Sequence, residues 1–326
     1  MNMAIEIGVK NGDLLPVAKS ISRAYELAKA EGIEDQAFSK SINDILLANY
    51  LGHNLSPGGK GSDAYHENSE YEYKCSVTAK FNFHMGANKG VDENLKKIDA
   101  KFQNIDEVYC AKLVDGDISE VAVMEKDVFL FHFKNFVKNN LKGGQFIWTI
   151  TWEPLIALSG VKIIREASKA DTYSELSREI KNSIILAKRV GLDERIFSKG
   201  EFNHILLAAK LGHSLPKDRR GPDAINNQGI GVEYKITVGD NFNFHFGSRK
   251  SLGENMSLIQ KKCSGIAGAY CAVRTYYRFD EIFYIPSRKL ETMLLDSLLK
   301  STGKQLIKNF KPSQLKKLDF TYNIVD

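Results

Sequence analysis

Residues 222–245 read PDAINNQGIGVEYKITVGDNFNFH, and residues 62–84 read SDAYHENSEYEYKCSVTAKFNFH. Each stretch sets an aspartate, Asp223 or Asp63, ahead of a run containing Glu-Tyr-Lys, and each closes on Phe-Asn-Phe-His. Alternation of apolar and polar residues is the pattern of a half-buried strand. On such a strand Glu233 and Lys235 share one face, as do Glu72 and Lys74, while Val232, Tyr234 and Ile236 point into packing. Two strands are expected in each stretch, around Glu70–Thr78 and Phe81–Met85, and around Ile230–Val238 and Phe242–Phe246.

The likeness extends outward on both sides. Phe38-Ser39-Lys40, Ile45-Leu46-Leu47-Ala48 and Leu51-Gly52-His53 return as Phe197-Ser198-Lys199, Ile205-Leu206-Leu207-Ala208 and Leu211-Gly212-His213, an offset of 160 from His53 to His213. Downstream the offset is 161: Glu72-Tyr73-Lys74 returns as Glu233-Tyr234-Lys235, and Tyr109-Cys110-Ala111 as Tyr270-Cys271-Ala272. So long a period means a duplicated domain and not a solenoid, because each copy is large enough for its own core.

Each copy opens with an amphipathic helix, roughly Val17–Glu31 and Glu175–Val190. A second helix is expected from the N-cap residues Ser39 and Ser198 to the C-cap glycines of Leu-Gly-His. After the paired strands come a helix and a strand at Glu107–Val114 or Ala267–Tyr276. Both copies are expected to end in a strand, Phe146–Trp152 and Phe320–Val325. The class is α/β, made twice, with domains at 1–162 and 163–326 and a boundary near Leu158–Lys169.

The chain has 326 residues, 43% of them hydrophobic and 26% charged, as in a globular protein able to bury a core. No run of eighteen apolar residues is present, which argues against a spanning helix, and the first residues lack the pattern of a secretory signal. Cys75, Cys110, Cys263 and Cys271 lack CxxC or zinc spacing and are expected as reduced thiols in a cytoplasmic protein. A net charge of +5 permits a polyanionic partner without requiring one.

Glu233 begins ten positions after Asp223, and Glu72 nine after Asp63. Two carboxylates and a lysine brought to one strand edge suit Mg²⁺, which takes one or two carboxylates and completes its shell with water and phosphate oxygens. The lysine would orient a water or stabilise developing charge. Such an Asp…Glu-x-Lys arrangement resembles the PD-(D/E)xK superfamily, above all type II restriction endonucleases, over the central part of each half. The resemblance implies two tandem restriction-endonuclease-like domains, each a mixed central sheet flanked by helices. It implies that Asp223, Glu233, Asp63 and Glu72 bind Mg²⁺, that Tyr234 and Tyr73 lend main-chain carbonyls, and that Lys235 and Lys74 assist hydrolysis. Many members add an acid from the preceding helix. Glu201 fits that role, but its counterpart is Ser41, with Asp44 one turn further on as a substitute.

The substrate implied is double-stranded DNA, cut by a single-chain pseudo-dimer, with a protective methyltransferase as a further implied partner. A structure-specific repair or recombination nuclease, or a DNA-binding module with an inactive site, remains open at this stage. Lys217, Arg219 and Arg220 lie in a loop that a phosphate backbone would pass. Asn82 and His84, and Asn243 and His245, share the strand face opposite the phenylalanines, where they suit either DNA contact or a structural pair. His53 and His213 are read as helix-end residues, interacting with the dipole or serving as a cap. Lys261 and Lys262 are read as surface, and Cys110 and Cys271 as core.

Overall fold

The protein is described by a computed structural model over residues 5–57, 61–85, 90–140, 146–168, 172–193, 195–197, 200–218, 221–246, 251–300 and 306–322. The chain runs β1 (Ile7–Val9), α1 (Asn11–Ala30), α2 (Asp35–Leu51), β2 (Asn54–Leu55), β3 (Ala64–His66), β4 (Ser69–Ser76) and β5 (Lys80–Met85). It continues through α3 (Val91–Lys101), β6 (Glu107–Val114), β7 (Asp117–Glu125), α4 (Lys126–Asn140), β8 (Phe146–Thr151), α5 (Trp152–Ile156) and β9 (Lys162–Ile164). A parallel succession follows: α6 (Ser174–Arg189), α7 (Glu201–Leu211), β10 (Leu215–Pro216), β11 (Ala224–Ile225), β12 (Gly231–Thr237) and β13 (Phe242–Phe246). Last come α8 (Leu252–Ser264), β14 (Gly268–Thr275), β15 (Arg278–Pro286), α9 (Ser287–Lys300), β16 (Leu306–Phe310) and α10 (Pro312–Lys317).

The fold is α/β, with mixed sheets flanked by helices. In the unit formed by residues 30–185, six strands line up as β2-β3-β4-β6-β7-β9, with β4 and β6 parallel and the other pairs antiparallel. Strand β6 is buried on both faces, so it reads as a nearly continuous apolar run. Val108 and Cys110 join Phe81, Phe102, Phe129 and Phe133 on one side, while Tyr109 and Ala111 join Leu47, Tyr71, Tyr73 and Val121 on the other. The hairpin-like pair β5–β8 completes the first side.

The second unit comprises residues 1–29 and 186–326. Its strands order as β11-β12-β14-β15, again with one parallel pair, β12 and β14. Phe242, Phe244, Ile259, Cys271, Phe283 and Leu294 form its core.

The compact units therefore divide the chain differently from a cut near Leu158–Lys169. Helix α1 carries its buried stripe of Leu14, Val17, Ile21 and Tyr25 into the unit of residues 186–326. There the fully buried Tyr25 ring lies 5.8 Å from Phe202, and the Arg274 guanidinium sits over both rings, at 5.2 and 5.5 Å. Asn11 donates to the carbonyls of Ala208 (3.2 Å) and His213 (3.3 Å), satisfying the end of α7. Most of α6 belongs to the unit of residues 30–185. Ahead of it, Tyr173 donates its N–H to Asn49 Oδ1 (3.2 Å) and accepts from Leu55 N through its hydroxyl (3.2 Å).

Several boundaries differ from those read in the sequence. Helix α2 begins at Asp35 after Glu34, so Ser39 lies inside it, and α7 follows Gly200; Ser198 lies outside the described residues. Both C-cap glycines are as expected, in the left-handed region at φ 75° (Gly52) and 73° (Gly212), where a side chain would be strained. A strand not expected from the sequence, β16, pairs with β13, Phe242 opposite Phe310, as β8 pairs with β5, and is the last strand among the described residues. Of Phe320–Val325, residues 320–322 lie antiparallel to β15, with Tyr284 N donating to Phe320 O (2.9 Å) and Tyr322 N to Ile282 O (2.7 Å) about a bridge from Thr321 to Phe283; residues 323–326 lie outside the described residues. Among the described residues, no helix is long and apolar enough to cross a membrane.

Removing the Tyr25 ring should cost about 3 kcal/mol, as aromatic-to-alanine changes in cores do. In Tyr25→Ala, hydrogen exchange should accelerate at residues 205–208 and 269–273 and stay slow at 71–75 and 108–111. Loss of protection confined to residues 30–185 would contradict the placement of α1.

Candidate active site

The site begins with a backbone clamp. Asp63 N donates to Tyr71 O (2.8 Å) and Asp63 O accepts from Ser56 N (3.1 Å), so Asp63 prolongs the antiparallel ladder of β2, β3 and β4. Its Oδ2 accepts from Tyr73 N at 2.7 Å. In the second unit Asp223 Oδ2 accepts from Tyr234 N, also at 2.7 Å. Each aspartate is thereby fixed beside the middle residue of its Glu-Tyr-Lys strand.

Alternation along β4 and β12 then brings the other two groups to the same place. Lys74 Nζ donates to Glu72 Oε1 (2.6 Å) and Tyr73 O (2.8 Å) and lies 3.9 Å from Asp63 Oδ2. Lys235 Nζ donates to Glu233 Oε2 at 3.2 Å. The Asp-Glu-Lys groups expected from the sequence are thus assembled in both units. The Tyr73 carbonyl faces the Lys74 head, on the same side as the two carboxylates.

The two sites differ in their electrostatics. Burial works to raise the Glu72 carboxyl, but Lys74 and Lys101 outweigh it and hold the group below the usual glutamate value. Burial and the Glu72 charge raise Asp63, against Lys74 and the Tyr73 N–H. Burial opposes the Lys74 charge, yet Glu72 and Asp63 raise its affinity for a proton above the ordinary lysine value. In the second unit burial and Asp223 raise Glu233, against Lys235 and Lys262.

The helix acid also differs between the copies. Asp44, on α2, is pushed up to about 7 by burial and Asp63, with Lys74 opposing and Glu72 adding to the rise. It therefore belongs to the first site, where Ser41 offers no charge. Its counterpart 160 positions on is His204, whose Nδ1 lies 3.9 Å from Asp223 Oδ1. Glu201, the expected acid, is the first residue of α7 and is partly buried.

Behind each strand lies a pair that the sequence reading assigned differently. His53 and His213 stand at the helix ends, where their backbone N–H groups donate to Ala48 O and Ala208 O at 2.9 Å, but their rings turn to the strand. They are buried, their Nδ1 atoms contact Tyr73 Oη (2.7 Å) and Tyr234 Oη (2.8 Å), and burial lowers each to about 4. Tyr109 and Tyr270 pack edge-on against these rings. The signal in the sequence was joint recurrence: His, the Tyr of Glu-Tyr-Lys and the following strand's Tyr all return together.

Lys262 is exposed, in line with its reading as surface, and it also reaches the second site. It lines one cavity with Glu233, Lys235, Phe244, His245 and Cys263. Its counterpart Lys101 donates to Glu72 Oε1 at 2.8 Å. Of the other candidates, Phe81, Phe83, Phe242 and Phe244 are buried, while Asn82, His84, Asn243 and His245 lie on the opposite, exposed face. Asn82 Oδ1 accepts from the Thr149 hydroxyl at 2.7 Å, which favours the structural reading for that residue. Lys217 donates to Glu6 (2.8 Å) on the surface; Arg219 and Arg220 lie outside the described residues. Cys110 and Cys271 are buried and free, and burial pushes both thiols up to about 12.

Among the described residues, no three His, Cys, Asp or Glu side chains are grouped as a metal-ligand set. The donors that do converge are two carboxylates, a peptide carbonyl in the first unit and an ammonium. All the ligand atoms are hard oxygens, a set that fits Mg²⁺ when water and phosphate complete the shell. No model of a known protein family matches the chain, and no curated protein matches it.

The raised Asp44 carboxyl gives a pH signature. Unfolded, it ionises near 3.8; folded, it holds its proton to about 7. The folded protein binds the extra proton in between, so this group's contribution to stability falls as pH rises through that window. Asp44→Asn should raise resistance to urea at pH 8 and change it little at pH 3.5. An equal effect at both pH values would contradict the assignment.

Proposed function

We propose that the chain is a Mg²⁺-dependent endonuclease that hydrolyses phosphodiester bonds in double-stranded DNA, and that it acts as a single-chain pseudo-dimer of the restriction-endonuclease-like PD-(D/E)xK kind. One observation carries the reading: the same aspartate clamp is built twice, at 2.7 Å in each unit, and beside each stands the same Glu-Lys pair, at 2.6 Å and 3.2 Å. A solvated structural strand would need its apolar face retained, not its acids and lysine.

In this reading Asp63 with Glu72, and Asp223 with Glu233, hold the ion, with the Tyr73 and Tyr234 carbonyls as further donors. When bound, the ion polarises the scissile phosphate and lowers the pKa of a water. Lys74 stays protonated at neutral pH because Glu72 and Asp63 favour its charge, so it stabilises the charge developing on phosphate and does not serve as a base. Asp44, ionising near 7, keeps a further carboxylate within the first site's field. The exposed His245 ring shares a cavity with Glu233 and Lys235, where a DNA strand would be read or gripped.

Supercoiled plasmid should be cut in Mg²⁺ and left intact in EDTA, with discrete fragments if the choice of site is by sequence. Asp223→Asn or Glu233→Gln should abolish the second unit's cut without unfolding it. Lys74→Ala and Lys235→Ala should each turn double-strand cleavage into nicking, on opposite strands, so nicked circles accumulate. Full-rate double-strand cleavage by either lysine variant would rule out one strand per unit.

A further inference from the structure

A second lysine recurs at each site without being needed to hold the motif together. Lys101 ends α3 and Lys262 lies in the last turn of α8, 161 positions apart, the same offset as Glu72 to Glu233 and Lys74 to Lys235. The helix faces around them have changed. At the exposed positions Asp92, Lys96, Lys97, Asp99 and Ala100 the other copy has Gly253, Ser257, Leu258, Gln260 and Lys261. Of the exposed residues in the last two turns, the lysine alone is kept.

Its surroundings explain what it can do. Glu72 Oε1 accepts from two ammonium groups at once, Lys74 at 2.6 Å and Lys101 at 2.8 Å. Lys74 is held by Glu72, the Tyr73 carbonyl and the field of Asp63, and its side chain is 25% exposed. Lys101 is 41% exposed; it also lies over the face of its chain neighbour Phe102, at 5.1 Å from the ring centre, and within the field of Asp63. One carboxylate oxygen shared by two cations leaves the outer cation the freer, on a flexible four-carbon stem with three donors. In the second unit Lys262 and Lys235 line one cavity with Glu233 between them in charge, and Lys262 draws the Glu233 carboxyl down.

We propose that Lys101 and Lys262 are phosphate-binding residues, each taking one backbone phosphate of the DNA strand that enters its own unit's Glu-Lys site. The inference rests on the nuclease reading. An anion brought to the carboxylate pair offers the outer lysine oxygens to bind in place of the Glu72 oxygen it shares. The lysine therefore exchanges its contact with the site's acid for one with the strand, and takes no part in the chemistry at the scissile bond.

The test is the salt dependence of binding by the full chain to a labelled mixed-sequence duplex. It is run in Ca²⁺, a hard oxygen-seeking ion, with the DNA checked for intactness. Lys101→Met and Lys262→Met should each lower the slope of log K against log salt by about 1 and weaken binding roughly tenfold at 0.1 M salt. Lys101→Arg and Lys262→Arg should restore both. An unchanged slope in the Met variants, with wild type binding steeply, would overturn the proposal and leave the nuclease reading standing. Absence of DNA binding by wild type would instead sink that reading. Should Lys101→Met unfold because Glu72 is buried, Lys262→Met decides, since the Glu233 side chain is 26% exposed.

Discussion

The hydrogen bond from the middle amide of each Glu-Tyr-Lys strand to the preceding aspartate is the constraint on which the rest depends. In both units it is 2.7 Å long. A charge-assisted bond of that length locks the aspartate against the strand and spends one edge of the ladder on a side chain. The other edge of the strand pairs in parallel with the next, Tyr73 with Tyr109 and Tyr234 with Tyr270. With both edges fixed, the register has no freedom to slip, and Glu and Lys must emerge beside the aspartate. Gathering two carboxylates in this way is unfavourable by itself. The lysines offset that repulsion, while in the first unit Asp44 holds its proton to about 7 and so adds no third negative charge below that pH.

Packing behind the strand supports the same geometry. The neutral His53 and His213 rings are stacked over the Tyr73 and Tyr234 rings that turn away from the acids. A buried imidazole with a phenol partner keeps its hydrogen bond but disfavours its charge, so acidification toward pH 4 strains both units together. The residue between Glu and Lys thus works in two directions: its amide clamps the aspartate, its side chain reaches the helix end, and in the first unit its carbonyl faces the lysine.

Much of this was legible in the sequence. Period-two alternation gave the strands and the shared face of Glu72 with Lys74, and glycine at 52 and 212 gave the helix ends. The helix exchange was not legible, because a stripe such as Leu14, Val17, Ile21 and Tyr25 states that one face is buried and not against what. The strand at Leu306–Phe310 was missed for a similar reason, since Phe320–Val325 offers a competing apolar run and only pairing with Phe242–Phe246 decides. Lys262 was read only as surface, and Lys101 drew no reading, because a lysine on a polar helix face carries no local sign of where its stem reaches. Asp44 and His204 show a further limit. The same helix position carries an acid in one copy and an imidazole in the other; Asp44 was legible as a substitute acid, but His204 draws attention only through its 3.9 Å distance from Asp223.

The central claim is that each unit holds one divalent-cation site organised by its clamped aspartate. Titration of the full chain with Mn²⁺, followed by electron paramagnetic resonance of the free ion, tests it most directly. The account predicts saturable binding at both sites, with one class lost in Asp63→Asn and the other in Asp223→Asn. Binding that neither substitution alters, or no saturable binding at all, would contradict it.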